Sequence, residues 1–311
     1  GLTQAAYAGN TSPRCEAGVA MSATGWAMTL QANDFFEFID KHGIQLNTNN
    51  DKTVVDTFFS VSGSEHDIDF LIENKEKILF DTGKTFDVLN HNLEVFGEKK
   101  EDISKIFISH GHYDHTGGLM GIKKYSNAKI FAHPSIFEEK YKKTDMGPKY
   151  IGAPFKKKDL QDIALTKESI ELSKKIFTTG QIERTFDFEK VSTIFQKKIG
   201  SKYDHDEIVD DQALVIKTHV GGVVILGCNH SGLLNTIEHS KDLIGDDVFL
   251  VLGGTHLVAA DDNKISRTAD YLKKYGITLF GFHCTGDYAS FKLHSALDKM
   301  YCRGYTGFEV L

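Results

Sequence analysis

Hydrophobic and polar positions change their spacing several times along this chain, and each change predicts an element. "NDFFEFIDKHG" predicts a short helix, with Asn33 as its N-cap and Gly43 past its end. "TVVDTFFSVS", "HDIDFLIE" and "KILFDTG" are rich in β-branched and aromatic residues between turn signals and predict strands. "TFDVLNHNLEVFG" predicts a helix. "ISKIFISH" predicts a strand that runs straight into "SHGHYDHTGGL", "GGLMGIKKY" opens a helix, and "AKIFAH" is the next strand. From about 140 to 170 the chain is polar and lysine-rich, with Lys156 to Lys158 in a row and two of the four prolines, and it predicts a long loop or lid.

The second half repeats this rhythm. "QALVIKTHVGGVVILGC" predicts a hairpin through Gly221 and Gly222. "LLNTIEHSKDLIG" and "ISRTADYLKKYG" predict helices, the latter closed by Gly276, and "VFLVLGG" and "ITLFGFHC" predict strands. "YASFKLHSALDKM" is helical and "GYTGFEVL" reads as a final strand. Two β-rich halves with helices after their strands bury their apolar faces in one way that satisfies both. Two mixed sheets pack face to face and helices cover both outer faces, an αββα sandwich of the α/β class.

Residues 1–50 differ from the rest. The first thirty carry only Arg14 and Glu16 as charges, and the first lysine is Lys41. No basic start is followed by a continuous apolar run, so the stretch does not read as an intact signal peptide. It reads as an appendage, partly foreign to the natural protein, ahead of a domain over 51–311. The net charge of -7 gives no support for a nucleic-acid or acidic-membrane partner. The four cysteines (Cys15, Cys228, Cys284 and Cys302) are too scattered for a disulfide framework and predict free thiols in a reducing, cytoplasmic setting. A small molecule is the expected partner, and assembly into a homo-oligomer is compatible with the composition.

"HGHYDH" places four metal-donor side chains, His110, His112, Asp114 and His115, within six positions after a strand and before two glycines. Chance histidines on a surface do not cluster so densely. Imidazoles and carboxylates converging at a strand end are what divalent zinc, iron or manganese requires. In extended geometry His110 and His112 point the same way, while Asp114 and His115 follow the turn toward a neighbouring centre. One loop can therefore serve one or two divalent ions, zinc being the first expectation and iron or manganese the alternatives.

"HGHYDHTGG" matches the HxHxDH signature of the metallo-β-lactamase superfamily, and "ILFDTG" resembles that family's strand ending in Asp-Thr-Gly, which places Asp81 beside the site. The resemblance covers about residues 52–311 and implies an αββα fold with its metals at the edge between the sheets. "FTTGQIERT", "DDQALVIKT", "GGVVILGCNHSGLLNTIEH", "LGGTHL" and "GFHCTG" follow in that order. They resemble the branch that includes the archaeal dihydropterin ribofuranosylaminobenzene phosphate synthase. One position departs from the family: Cys228 stands where most members place a bridging aspartate. It reads as a soft ligand, a reactive thiol or a buried filler.

The resemblance implies further roles. His230 takes the place of the family's separate histidine, and His283 that of its final histidine. His256 is a ligand, a structural histidine or the group that protonates a leaving atom. Asp114 both ligates and orients the nucleophile. Asp211 reads as a carboxylate that fixes a histidine tautomer, and Arg184 as a clamp for a substrate phosphate or carboxylate. These roles imply a hydrolase acting on a phosphorylated or ester small molecule through metal-activated water. A dihydropterin-diphosphate transferase is the alternative, and a non-catalytic metal or ligand binder is the third reading.

Overall fold

Neighbouring residues of the Lys77–Phe80 strand serve two different cores. Ile78 and Phe80 point to one and Leu79 to the other, as the two-residue period of a strand requires. In the computed structural model, residues 69–73, 75–160 and 162–304 are described in full, together with the backbone of strands Ala17–Ser22, Gly25–Leu30, Thr57–Ser60 and Glu309–Val310. The helix expected at Asn33–Gly43, and Cys15, lie outside the described residues.

One sheet orders its strands 17–22, 25–30, 309–310, 57–60, 70–73, 77–80, 103–107, 129–132 and 163–165. The other orders 171–173, 176–178, 213–217, 222–226, 248–254, 278–282 and 301–303. Between them lies an aromatic-rich core in which Phe70, Phe80 and Phe107 meet Ile225, Leu252 and Phe282, with Phe70 and Phe282 edge to face at 5.6 Å. On the outer side of the first sheet, Leu79 and Ile106 pack against Leu89 and Leu93 of helix Phe86–Val95. On the outer side of the second, Val224 and Leu279 pack against helices Leu233–Ile244, Asp262–Tyr275 and Asp287–Leu297. These layers form the expected αββα sandwich. Each aliphatic side chain fully buried in them contributes about 1.5–3 kcal/mol.

Two expectations need correction. The 140–170 segment is not a structureless loop. Lys140–Thr144 and Gly147–Tyr150 form a hairpin that joins Phe195–Ile199 and Lys202–His205 in a third, four-stranded sheet. Ile163–Leu165 then pairs in parallel with Lys129–Ala132 at the edge of the first sheet. Lysine-rich strands escape recognition because their apolar face is narrow and their partners lie some fifty residues downstream. The helix expected from "GGLMGIKKY" is only Leu119–Ile122, preceded by the short Tyr113–Thr116. Here the backbone lies so close to the Asp81–Gly83 turn that a Cβ on Gly118 would fall 2.3 Å from the Thr82 carbonyl. A strand that the pattern does not predict, Tyr301–Arg303, joins the second sheet, while Glu309–Val310, within the expected final strand, joins the first.

Candidate metal centre

Parallel strands of both sheets end at one rim, and the residues just beyond their ends build the centre. Asp81 follows strand 77–80, His110 follows 103–107, Cys228 follows 222–226, His256 follows 248–254 and His283 follows 278–282. Several of these residues hold unusual backbone. Asp81 (φ 60°), Asn229 (59°), His256 (49°) and His283 (47°) are all left-handed without being glycine. Such conformations cost about 1–3 kcal/mol each and gather where geometry serves function.

The donors form two adjacent groups. In the first, His110 Nε2 lies 2.9 Å from His112 Nδ1, and His230 completes a buried trio whose donor atoms all lie within 4.8 Å of one another. In the second, Cys228 Sγ lies 3.2 Å from His115 Nε2 and 3.2 Å from His283 Nε2. Asp114 Oδ2 stands 4.0 Å from His115 Nε2 and 3.8 Å from His283 Nε2. The rings of His110 and His115, one from each group, are 4.2 Å apart. Both groups open onto one cavity of about 500 Å³, walled also by His256, Ile151 and Phe195.

Asp81 organises this floor. Its carboxylate accepts the Ser109 N–H and O–H, both at 2.7 Å, and meets His115 Nδ1 at 2.7 Å. That contact fixes the ring so that Nε2 faces Cys228 and Asp114. Ser109 Oγ lies 2.9 Å from His110 Nδ1 and so steadies the neighbouring ring. A Cβ on Gly227 would sit 2.3 Å from Ser109 Oγ, so only glycine lets this strand end approach so closely. Asp81→Asn keeps the shape but weakens the hold on His115. Metal affinity should fall about 10–100-fold with little change in fold. Competition titration with a chelating dye checks this, and unchanged affinity would remove Asp81 from the centre.

Burial sets the protonation of these rings. It pushes His110, His112 and His230 well below the usual histidine range, helped by neighbouring histidines and Lys140, and lowers His256 to about 4. Burial also opposes charge on His115, but the Asp81 and Asp114 carboxylates outweigh it and raise the ring to about 9. The metal-free protein should therefore lose stability on both sides of neutrality. Below about 6.5 the unfolded chain takes up protons that the four neutral rings refuse. Above it, the stability from protonated His115 fades as pH rises through about 9. Denaturation midpoints of chelator-treated protein from pH 4 to 9 should peak near neutrality, with the steeper loss on the acid side.

Two residues expected to act at the site do not meet a donor ring or the cavity wall. Arg184 is not in the cavity wall, and its guanidinium meets Glu207 at 3.3 Å, the Ile208 carbonyl at 3.0 Å and Ser231 Oγ at 3.4 Å. Asp211 accepts the Ser231 N–H at 2.8 Å, so it holds the backbone beside His230 and not a histidine ring. Sequence reading missed a buried triad. Lys140 Nζ lies 2.7 Å from Asp210 and 3.2 Å from Asp206, and Asp210 Oδ2 accepts the Gly111 N–H at 2.8 Å, between His110 and His112. Separations of 66 and 70 residues leave no local signal for it. Glu189 was missed too. Its carboxylate takes the Leu234 and Asn235 N–H groups at 3.0 and 2.8 Å and caps the helix that follows His230.

The chain that builds this centre, at the rim of an αββα sandwich, is similar to several known proteins. The family model of the metallo-beta-lactamase superfamily matches residues 46–240. The chain belongs to the metallo-beta-lactamase superfamily. Within it, an uncharacterized protein of Methanocaldococcus jannaschii is 35% identical over 264 residues, covering 83% of this chain and 96% of that protein. The 7,8-dihydropterin-6-methyl-4-(beta-D-ribofuranosyl)-aminobenzene-5'-phosphate synthase of the same organism is 35% identical over 243 residues, 72% of this chain and 82% of the synthase. The crystal structure of Tm1679, titled a metal-dependent hydrolase of the beta-lactamase superfamily, superposes with a TM-score of 0.71 at 27% identity. The match covers 82% of this chain and 98% of Tm1679. The superfamily usually holds divalent metals, and the described residues supply His/Cys/Asp clusters for them. No described helix is long and apolar enough to cross a membrane.

Proposed function

We propose that this chain is a metal-dependent hydrolase of the superfamily, acting on a phosphorylated or ester small molecule. The observation that carries the reading is the pair of donor groups side by side on the floor of one cavity. The donors suit divalent metal. His112 Nε2 and His230 Nε2 are buried with no hydrogen-bond partner, and burial keeps both rings neutral, the form that ligates. His110, His112 and His230 would hold one ion. Asp114, His115, His283 and Cys228 would hold the second, the cysteine acting as a ligand and not as filler. A thiolate among imidazoles favours zinc, with iron or manganese as alternatives.

When bound, the ions supply Lewis acidity and a water acidified toward a pKa of about 7. The chain's own residues do the rest. Asp114 is about a fifth exposed and faces the cavity, so its carboxylate can orient the attacking water. His256, on the wall beside His230 with ring centres 4.3 Å apart, is placed to meet the leaving atom. Burial keeps its ring neutral, and an arriving anion would raise its pKa toward the range where it donates a proton.

A transferase is the second reading, favoured by the synthase relative and by one structural feature. A further cavity of about 330 Å³ shares His230 and His256 with the first and gives room for a second reactant. The free thiols of Cys228, Cys284 and Cys302 suit a cytoplasmic setting. A panel of phosphoesters, carboxylic esters and a dihydropterin diphosphate with an arylamine acceptor separates the readings. Hydrolysis of an ester by metal-loaded protein, abolished by chelation, is the expected result. Joining of the two pterin-panel reactants would make it a transferase. Tight ligand binding without turnover would make it a binder.

A further inference from the structure

The third sheet roofs the cavity, and its inner face has a distinct chemistry. Lys142 and Lys149 stand directly opposite each other on the two hairpin strands, and Phe195 lies opposite Lys142 on the next strand. By the two-residue period, Lys142 shares its face with buried Lys140, and Lys149 shares its face with Ile151. Lys142, Lys149, Ile151 and Phe195 all line the cavity. The opposite face carries an aromatic cluster in which Tyr141 meets Tyr150 and Tyr203 edge to face at 5.3 and 4.9 Å.

Like charges directly opposite on neighbouring strands are destabilising. No carboxylate among the described residues lies within ion-pair distance of either lysine. The remaining walls add Lys84 and Arg303, against which Asp114 and Asp287 are the cavity's acids, and Arg303 already pairs with Asp287 at 2.5 Å. The roof is also held in place. The Lys140 triad anchors its first strand, the Tyr113 N–H reaches the Ile151 carbonyl at 3.0 Å, and Gly152 bridges to His112. Two exposed lysines without a carboxylate partner thus stand on a strand pair whose backbone is held over the donor floor. Lys156 to Lys158, the run that stands out in the sequence, are absent from the cavity wall.

We infer that Lys142 and Lys149 form a cation clamp for a polyanionic phosphoryl group, a phosphomonoester or a diphosphate. The clamp holds that group over the donor floor and selects phosphorylated substrates over carboxylic esters. This rests on the hydrolase reading for its substrate but not for its anion. A single negative charge pairs with one lysine and leaves the other without a counter-charge, whereas a phosphoryl dianion or a diphosphate satisfies both.

Calorimetric titration of inorganic pyrophosphate, orthophosphate and acetate tests the clamp, using the full chain both metal-loaded and chelator-treated. Wild type should bind pyrophosphate more tightly than acetate in both states. Lys142→Ala/Lys149→Ala should weaken pyrophosphate about tenfold or more in both states, the size of a lost charge-assisted hydrogen bond. Lys156→Ala/Lys157→Ala/Lys158→Ala removes more positive charge from the chain and should leave the affinity within about twofold. The clamp is overturned if the double variant binds pyrophosphate like wild type, if the triple variant loses as much, or if wild type binds no pyrophosphate in either state. Loss confined to the metal-loaded state would place the anion on the metals alone and also overturn it. Absence of metal or of turnover, with the metal-free loss intact, would refute the hydrolase reading and leave the clamp standing.

Discussion

Asp114→Asn should lower turnover of an identified phosphoester by two or more orders of magnitude while the fold survives. The substitution keeps the size of the side chain and removes its charge. Asp114 Oδ2 faces His115 and His283 and lines the cavity, so under the proposed hydrolase reading one carboxylate would serve the second donor group and the reacting water together. It belongs to a four-residue helix at a strand end and contributes little to either sheet core, so the denaturation midpoint should stay close to wild type. His256→Ala should behave differently. Metal content should hold, and turnover should fall about 10²–10⁴-fold, the scale of a positioned proton donor. The fall should be smallest for substrates whose leaving groups need no proton. Equal loss across leaving groups, or loss of metal, would make His256 a ligand or a structural residue.

The largest effect on stability should come from far outside the histidine motif. Lys140→Met leaves the carboxylates of Asp206 and Asp210 buried beside each other without their cation. All three side chains are at most 2% exposed, so solvent gives no relief. Breaking a buried pair by removing one partner costs about 3–5 kcal/mol. Denaturant unfolding should show that loss as a lower midpoint with an unchanged slope. Metal affinity should fall as well, because Asp210 holds the Gly111 N–H between the first two ligand candidates. A variant as stable as wild type would show that the triad is solvated or that a carboxylate takes up a proton at little cost.

The sandwich was readable because its signals are local. Gly245 and Gly276 close their helices in the left-handed conformation, and the Gly221–Gly222 hairpin pairs Ala213–Lys217 with Gly222–Leu226 as its pattern implies. The donors were readable because strand ends in sequence become rim positions in space. His230 and His283 arrive there from 120 and 173 positions beyond His110, on the strand ends where they were expected. What stayed hidden depends on long-range pairing. Lys140 looks like one more surface lysine until Asp206 and Asp210 are brought to it. Lys142 and Lys149 look like loop residues until the hairpin finds its third strand. Arg184 misled for the opposite reason. It stands in a family-like motif, yet in space it braces the Ser231 turn and does not face the cavity.

The central claim is that two adjacent donor groups hold two divalent ions, and metal stoichiometry tests it most directly. Protein purified without a histidine tag and equilibrated with zinc should carry about two equivalents per chain by elemental analysis. His230→Ala and His283→Ala should each remove about one equivalent, from different groups, and the double variant should lose both. Cobalt-loaded protein should show a thiolate-to-metal absorption band that Cys228→Ser abolishes. One ion or none in wild type, or variants at His230 and His283 that keep full occupancy, would contradict the account.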